Sequence, residues 1–113
     1  MFLHCTSSYP SLEKDKNLLC IPELKKIFKT DIGFSGHGQG LAGSVGAIAL
    51  GANVIEKHCT LNKKMAGPDH AASLEFEDLK KLIELSKKVK ISLGSAKKKL
   101  LQSEKVLHSV LSR

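Results

Sequence analysis

The chain has 113 residues, of which 42% are hydrophobic and 4% aromatic, and its 18 Lys and Arg against 11 Asp and Glu give a formal net charge of +7. This length suits one domain, and the composition is that of a globular protein, which excludes a disordered tail or a fibre. No apolar run reaches the ~18–20 residues of a membrane helix, so we expect no membrane partner. The lysines fall mostly in predicted helices without interleaved aromatic residues, which argues against nucleic acid as a partner.

The cysteines and the first residues bear on the compartment. Cys5, Cys20 and Cys59 are an odd number without a paired CxxC spacing, which favours free thiols in a reducing environment. Residues 1–4 lack the cationic leader and apolar core of a signal peptide. We therefore expect a cytoplasmic protein.

Predicted strands and helices alternate along the chain. Short apolar stretches predict three strands: 1–5, 31–35 and 53–58. A helix that begins at Asn17 or Pro22 follows the first strand, and a small apolar helix over 41–50 follows the second. A longer amphipathic helix, with Ser73 as its N-cap and Gly94 as its end, follows the third. This order predicts an α/β fold with a parallel sheet and right-handed crossovers.

Polar residues follow each predicted strand at its carboxyl end, where parallel α/β folds bind ligands. His37 and His58 end neighbouring strands, so their imidazoles could converge on one divalent metal ion. Glu56 or Asp69 could complete the metal shell or hold a bound water. Each histidine taken singly is also compatible with an ordinary hydrogen-bonding role near a loop.

Two other ligand classes fit the same edge of the sheet. Ser7 and Ser35 end two strands beside a glycine turn that opens a helix, which is typical of an anion site. Residues 38–43 match G-x-G-x-x-G between a strand and a helix, and Glu56 ends the next strand as a ribose-binding acid would. Two extra residues separate the strand from the first motif glycine, so a dinucleotide-binding βαβ unit is the third interpretation.

Four blocks of sequence carry a more specific signal, in this order: 4–10, 33–37, 49–61 and 67–75. Together they resemble the sialic acid synthase (N-acetylneuraminate synthase) family over about residues 1–95, with motifs closest to those of the animal-type enzymes. That family joins a (βα)8 TIM barrel to a small antifreeze-like domain. The resemblance implies that residues 1–96 are the last three βα units of the barrel. Residues 97–113 would be a basic linker-like tail, with the antifreeze-like domain absent.

The resemblance also implies a reaction and a metal centre. Members are C–C bond-forming transferases of carbohydrate biosynthesis that condense phosphoenolpyruvate with N-acetylmannosamine or its 6-phosphate. They yield N-acetylneuraminate or its 9-phosphate, and release phosphate. His37 and His58 match the family's metal-binding histidines, which hold Mn²⁺ or Mg²⁺ to polarise the sugar aldehyde. Glu56 lies beside this shell and would orient a metal-bound water.

Substrate-binding roles follow from the same resemblance. Ser35 matches a phosphoenolpyruvate-binding serine, and Ser7 lies where some members place an Asn toward the same ligand. Tyr9 and Asp69 match positions that face the amino sugar. Full-length members are commonly homodimers in which the neighbouring antifreeze-like domain completes the site.

The resemblance covers only part of the family's catalytic machinery. The family's phosphate-binding lysines and catalytic acid belong to the first five βα units of the barrel, so we expect the isolated chain to have little or no synthase activity. The alternative is a non-catalytic metal- or anion-binding fragment, or a piece that complements another half-barrel.

Overall fold

The computed structural model describes residues 1–111. Three strands form a parallel sheet in chain order: β1 (Phe2–Cys5), β2 (Ile32–Ser35) and β3 (Ile55–Glu56). Four helices accompany them: α1 (Cys20–Phe28), α2 (Ala42–Ala49), α3 (Phe76–Ser92) and α4 (Gln102–Leu111). Short 3-10 helices occupy Glu13–Asp15 and His70–Ala72. The predicted α/β class with a parallel sheet is therefore confirmed.

The central strand β2 is buried along its whole length because it has a neighbour on each side and helices over one face. Ile32 and Phe34 pack with Ile21 of α1 and Ala47 of α2 in the main apolar cluster. Full burial of an aliphatic or aromatic side chain contributes about 1.5–3 kcal/mol. Gly33 lies between them, and a Cβ there would come within 2.9 Å of the Val54 carbonyl oxygen. β2 thus packs its bulky side chains against the helices, while Gly33 on the other face makes room for Leu3 and Val54 of the neighbouring segments.

Two predicted helix caps are wrong, and tertiary contacts explain one of them. α1 begins at Cys20, not at Asn17, whose amide nitrogen instead donates to the Cys20 sulfur at 3.0 Å. α3 begins at Phe76, and Ser73 is a buried loop residue whose hydroxyl donates to the Asp69 carbonyl at 2.7 Å. The next residue, Leu74, pairs through its backbone with the segment after β3. That pairing holds Ser73 in the loop and moves the helix start.

Apolar surface remains exposed at the edges of this sheet and on α3. β1 and β3 each pair with one neighbour, so the sheet has two open edges. Phe2 on β1 is 55% exposed, and Phe76 on the predicted apolar stripe of α3 is 75% exposed. Helix α4 lies within the predicted tail, of which residues 112 and 113 are outside the described part. Among residues 1–111, no helix has both the length and the apolar character that a membrane crossing requires.

Candidate functional site

The rings of Tyr9, His37 and His58 meet at the carboxyl edge of the sheet. The last residues of β1, β2 and β3 are in register, since Cys5 pairs with Ser35 and Ser35 with Glu56. The loops that follow the strands therefore start side by side.

The His37 and His58 ring centroids lie 5.1 Å apart. Tyr9 from the loop after β1 lies 5.0 Å from the His37 ring and 5.7 Å from the His58 ring. The two imidazoles expected to converge do lie next to each other.

A hydrogen-bond chain joins Glu56, Ser35 and His37. The Ser35 hydroxyl donates to Glu56 Oε1 at 2.6 Å and lies 3.0 Å from His37 Nε2. An ionised carboxylate only accepts hydrogen bonds, so the hydroxyl proton points to Glu56, and His37 Nε2 is the donor to Ser35. In the neutral tautomer that donates through Nε2, the lone pair of the imidazole is on His37 Nδ1. Nδ1 is buried and has no partner among the described residues.

Lys57 holds the backbone around His37. Its ammonium nitrogen donates to the carbonyl oxygens of Gly36 at 3.2 Å and Gly38 at 2.7 Å. Burial lowers the pKa of Lys57, and the positive charge of Lys16 lowers it further. Sequence reasoning missed Lys57. The available signal was its position in the short segment between Glu56 and His58, both singled out for chemistry.

A second lysine lies behind the same glycine turn. Lys16 is 4% exposed and its ammonium group forms an ion pair with Glu13. A Cβ on Gly43 would come within 2.9 Å of Lys16 Nζ, and one on Gly38 within 3.0 Å of Lys16 Cε. Two glycines of the G-x-G-x-x-G pattern thus make room for a buried lysine, which gives the pattern a packing explanation. No sequence pattern marked Lys16 as buried.

The remaining predicted substrate residues lie around this cluster. Burial raises the pKa of the Tyr9 hydroxyl, and the negative charge of nearby Asp69 raises it further. Asp69 therefore faces Tyr9, whose hydroxyl stays protonated at neutral pH. Ser7 is exposed in the loop after β1, and its side chain makes no hydrogen bond among residues 1–111. The structure thus brings Tyr9 and Asp69 together and leaves Ser7 free.

The loop that carries Asp69 is fixed to α3 at its base. Lys63 donates from its ammonium group to Asp78 Oδ2 at 2.7 Å and from its backbone N–H to Glu75 Oε1 at 2.9 Å. Within the loop, Thr60 Oγ1 lies 2.7 Å from His70 Nδ1. These contacts hold both ends of the 59–75 segment.

The Lys63–Asp78 pair predicts an acid-sensitive loop. The hydrogen bond from Lys63 lowers the pKa of Asp78 below 3.8. Because the folded-state pKa lies below the unfolded one, the stabilisation is present above about pH 3.8 and is lost as pH falls through the folded value. We expect Asp78→Asn to lower the thermal midpoint at neutral pH and to match the parent protein in acid.

Thermal melts across this pH range, followed by circular dichroism, check the expectation. Glu77→Gln is the matched control. It removes a carboxylate from the same turn of α3, and this carboxylate has no ion-pair partner in the described structure. A difference between Asp78→Asn and the parent that is equally large in acid would contradict the assignment.

The side chains at this site determine how it could bind a metal ion. His37 and His58 are adjacent, and the unpartnered ring nitrogen of His37 is a suitable ligand for a divalent ion. Among the described residues, no group of three or more His, Cys, Asp or Glu side chains is arranged to hold a metal ion. The residues present therefore fit a metal bound through two imidazoles, with water or substrate oxygens as its other ligands.

Comparison with known proteins shows the family to which this chain belongs. The family model described as "NeuB family" matches residues 1–98, and the chain belongs to that family. The N,N'-diacetyllegionaminic acid synthase of Campylobacter jejuni is 47% identical over 102 residues, which cover 90% of this chain and 30% of that protein. The N-acetylneuraminate-9-phosphate synthase of Homo sapiens is 46% identical over 113 residues, which cover 99% and 32%.

Solved structures agree with the sequence relatives. The N-acetylneuraminic acid (sialic acid) synthetase of Leptospira borgpetersenii, solved with citrate, superposes with a TM-score of 0.85 at 37% identity, covering 98% of this chain and 40% of that one. A spore coat polysaccharide biosynthesis protein of Bacillus subtilis gives a TM-score of 0.75 at 31% identity, covering 94% and 34%. The chain thus spans about a third of the length of the curated relatives it matches. The family resemblance expected from the four sequence blocks is confirmed.

Proposed function

We propose that this chain supplies one part of the active site of a sialic acid-type synthase. The reaction would condense phosphoenolpyruvate with N-acetylmannosamine or its 6-phosphate, to give N-acetylneuraminate or its 9-phosphate and phosphate. The pair of adjacent imidazoles, His37 and His58, with Tyr9 against both rings, is the observation that carries the proposal. The synthase names of the curated relatives support the same reaction class.

The two histidines would hold the divalent ion, Mn²⁺ or Mg²⁺. When bound, that ion supplies Lewis-acid polarisation of the sugar aldehyde. Glu56 Oε1 accepts the hydrogen bond of the Ser35 hydroxyl at an oxygen–oxygen distance of 2.6 Å, which orients that hydroxyl at the end of β2. Glu56 would also orient a bound water.

Substrate contacts would come from the surrounding loops. Ser7, in the loop after β1, would donate to phosphoenolpyruvate, and Ser35 would do so when its hydroxyl rotates from Glu56 to the ligand. Tyr9 and Asp69 would bind the amino sugar. The raised pKa of Tyr9 keeps its hydroxyl protonated as a donor, and Asp69 remains beside it as an acceptor. The phosphate-binding groups and the partner subunit of a homodimer would belong to the rest of the enzyme.

A chimera tests this proposal. Residues 1–98 would replace the matching third of a full-length N-acetylneuraminate-9-phosphate synthase, and the product would be measured with phosphoenolpyruvate, Mn²⁺ and either sugar. We expect condensation with at least one of the two sugars, and the comparison of the sugars identifies the acceptor. Ser35→Ala in the chimera should raise the KM for phosphoenolpyruvate. A folded chimera that condenses neither sugar would contradict the proposal.

A second candidate function is that of a complementing piece that pairs with another half-barrel. The open edges of β1 and β3 favour it, because unpaired strand edges are templates for further strands. The exposed apolar side chains of β1 point to the same conclusion, Phe2 and Leu3 being 55% and 39% exposed.

A further inference from the structure

Three consecutive peptide carbonyls around His37 are each held by a group from outside their own loop. Lys57 donates to the carbonyl oxygens of Gly36 and Gly38, and the backbone N–H of Ser11 donates to that of His37 at 3.4 Å. Glycine on both sides of a residue allows a wide range of backbone conformations. The backbone at His37, from which the ring reaches Ser35, therefore depends on these external hydrogen bonds.

A residue with a side chain at Gly36 or Gly38 could not restrain the loop in place of these hydrogen bonds, because its Cβ would clash. A Cβ on Gly36 would lie 2.8 Å from Phe34 Cε1, and a Cβ on Gly38 would lie 2.8 Å from the Ser11 carbonyl oxygen. Both contacts are closer than packed atoms allow. The close packing requires glycine at both positions, so the restraint on His37 has to be supplied by another residue.

Lys57 is placed to supply that restraint to both imidazoles. It is the residue between Glu56 at the end of β3 and His58. Its side chain crosses to the loop after β2 and adds to the backbone hydrogen bond, from Gly36 N–H to the Glu56 carbonyl at 2.9 Å, that already joins the two segments carrying the histidines. The Ser11 contact is the longer one and comes from the segment after β1, which carries neither histidine.

We propose that Lys57 is a positioning residue, whose two hydrogen bonds to the carbonyls beside His37 set the imidazole next to that of His58. The proposal rests on the proposed function of the two histidines as metal ligands. An ammonium group has three N–H donors, and two of those of Lys57 are used on the protein itself. This use distinguishes Lys57 from a lysine that binds an anionic substrate directly.

The test compares three variants of the full 113-residue chain. Lys57→Met removes the donors and keeps the length of the side chain, whereas Lys57→Arg retains donors. Lys14→Met is the matched control, since Lys14 is exposed and its ammonium group makes no hydrogen bond in the described structure. The metal-free chain is read by NMR of the histidine imidazole signals, and Mn²⁺ affinity is read by calorimetry.

We expect Lys57→Met to shift or broaden the His37 imidazole signals, to leave those of His4 and His70 in place, and to weaken Mn²⁺ binding by about tenfold. Lys57→Arg should recover both readouts, and Lys14→Met should match the parent chain. If Lys57→Met does not fold, Lys57→Gln, which also loses the reach to both carbonyls, is read by the same criterion.

Unchanged His37 signals in a folded variant without the two hydrogen bonds would overturn the proposal. An anion-binding role would instead leave the His37 signals in place and change the response of the chain to added phosphoenolpyruvate. A parent chain that binds no Mn²⁺ would refute the metal role of the histidines, while the metal-free NMR comparison would still decide the role of Lys57.

Discussion

Replacement of His37 by Ala is expected to weaken Mn²⁺ binding to the chain by about 100-fold or more. The reason is the small donor set, because the described residues offer two adjacent imidazoles and no cluster of three ligands. Loss of one imidazole leaves a single histidine, which holds a divalent ion no better than an isolated surface histidine. His58→Ala should have an effect of the same size, and calorimetric titration with Mn²⁺ measures both.

His70→Ala provides the control for the loss of a histidine. His70 is partly buried and hydrogen-bonds to Thr60, and it belongs to none of the close ring pairs formed by His37 and His58. This variant should bind Mn²⁺ as the parent chain does. Parent-like binding by His37→Ala and His58→Ala together would show that the metal, if bound, is held elsewhere.

The second large effect concerns activity. We expect the purified chain, supplied with phosphoenolpyruvate, Mn²⁺ and N-acetylmannosamine or its 6-phosphate, to form no sialic acid above a protein-free blank. The chain spans about a third of its curated relatives, and its three strands leave two sheet edges open. Glu56 and His58 are exposed to water, which weakens the electrostatic stabilisation that they could give a reacting substrate.

A full-length synthase assayed in parallel is the control for the reagents. Addition of a polypeptide that carries the first five βα units of a family member tests the complementing role. Activity that appears only in the mixture, together with co-elution of the two pieces, would support that role. Robust product formation by the chain alone would contradict the expectation that it is incomplete.

The sequence was sufficient to predict the fold class and the meeting of the two histidines. Alternation of apolar strands with amphipathic helices implies a parallel sheet, and a parallel sheet brings all strand ends to one edge. His37 and His58 follow β2 and β3 by similar short distances, so their adjacency follows from chain direction and register. The four motif blocks then indicated the family.

The supporting residues could not be predicted because they depend on contacts between distant segments. Lys16 and Lys57 are typical solvent-exposed residue types in sequence, yet both are drawn inward by the glycine turn between β2 and α2. Similarly, serine is a residue type that favours the N-cap position, but backbone pairing of Leu74 with the segment after β3 holds Ser73 in the loop. In each case, hydrogen bonds between distant segments outweigh the local structural preference of the residue type.

Pulsed electron paramagnetic resonance of the Mn²⁺-loaded chain tests the central claim most directly, because it detects the nitrogen nuclei bound to the metal. We predict couplings to two histidine nitrogens in the parent chain and to one in either His37→Ala or His58→Ala measured at saturating Mn²⁺. A spectrum of bound Mn²⁺ without histidine nitrogen coupling, or one that neither substitution alters, would contradict a metal centre built on this pair of imidazoles.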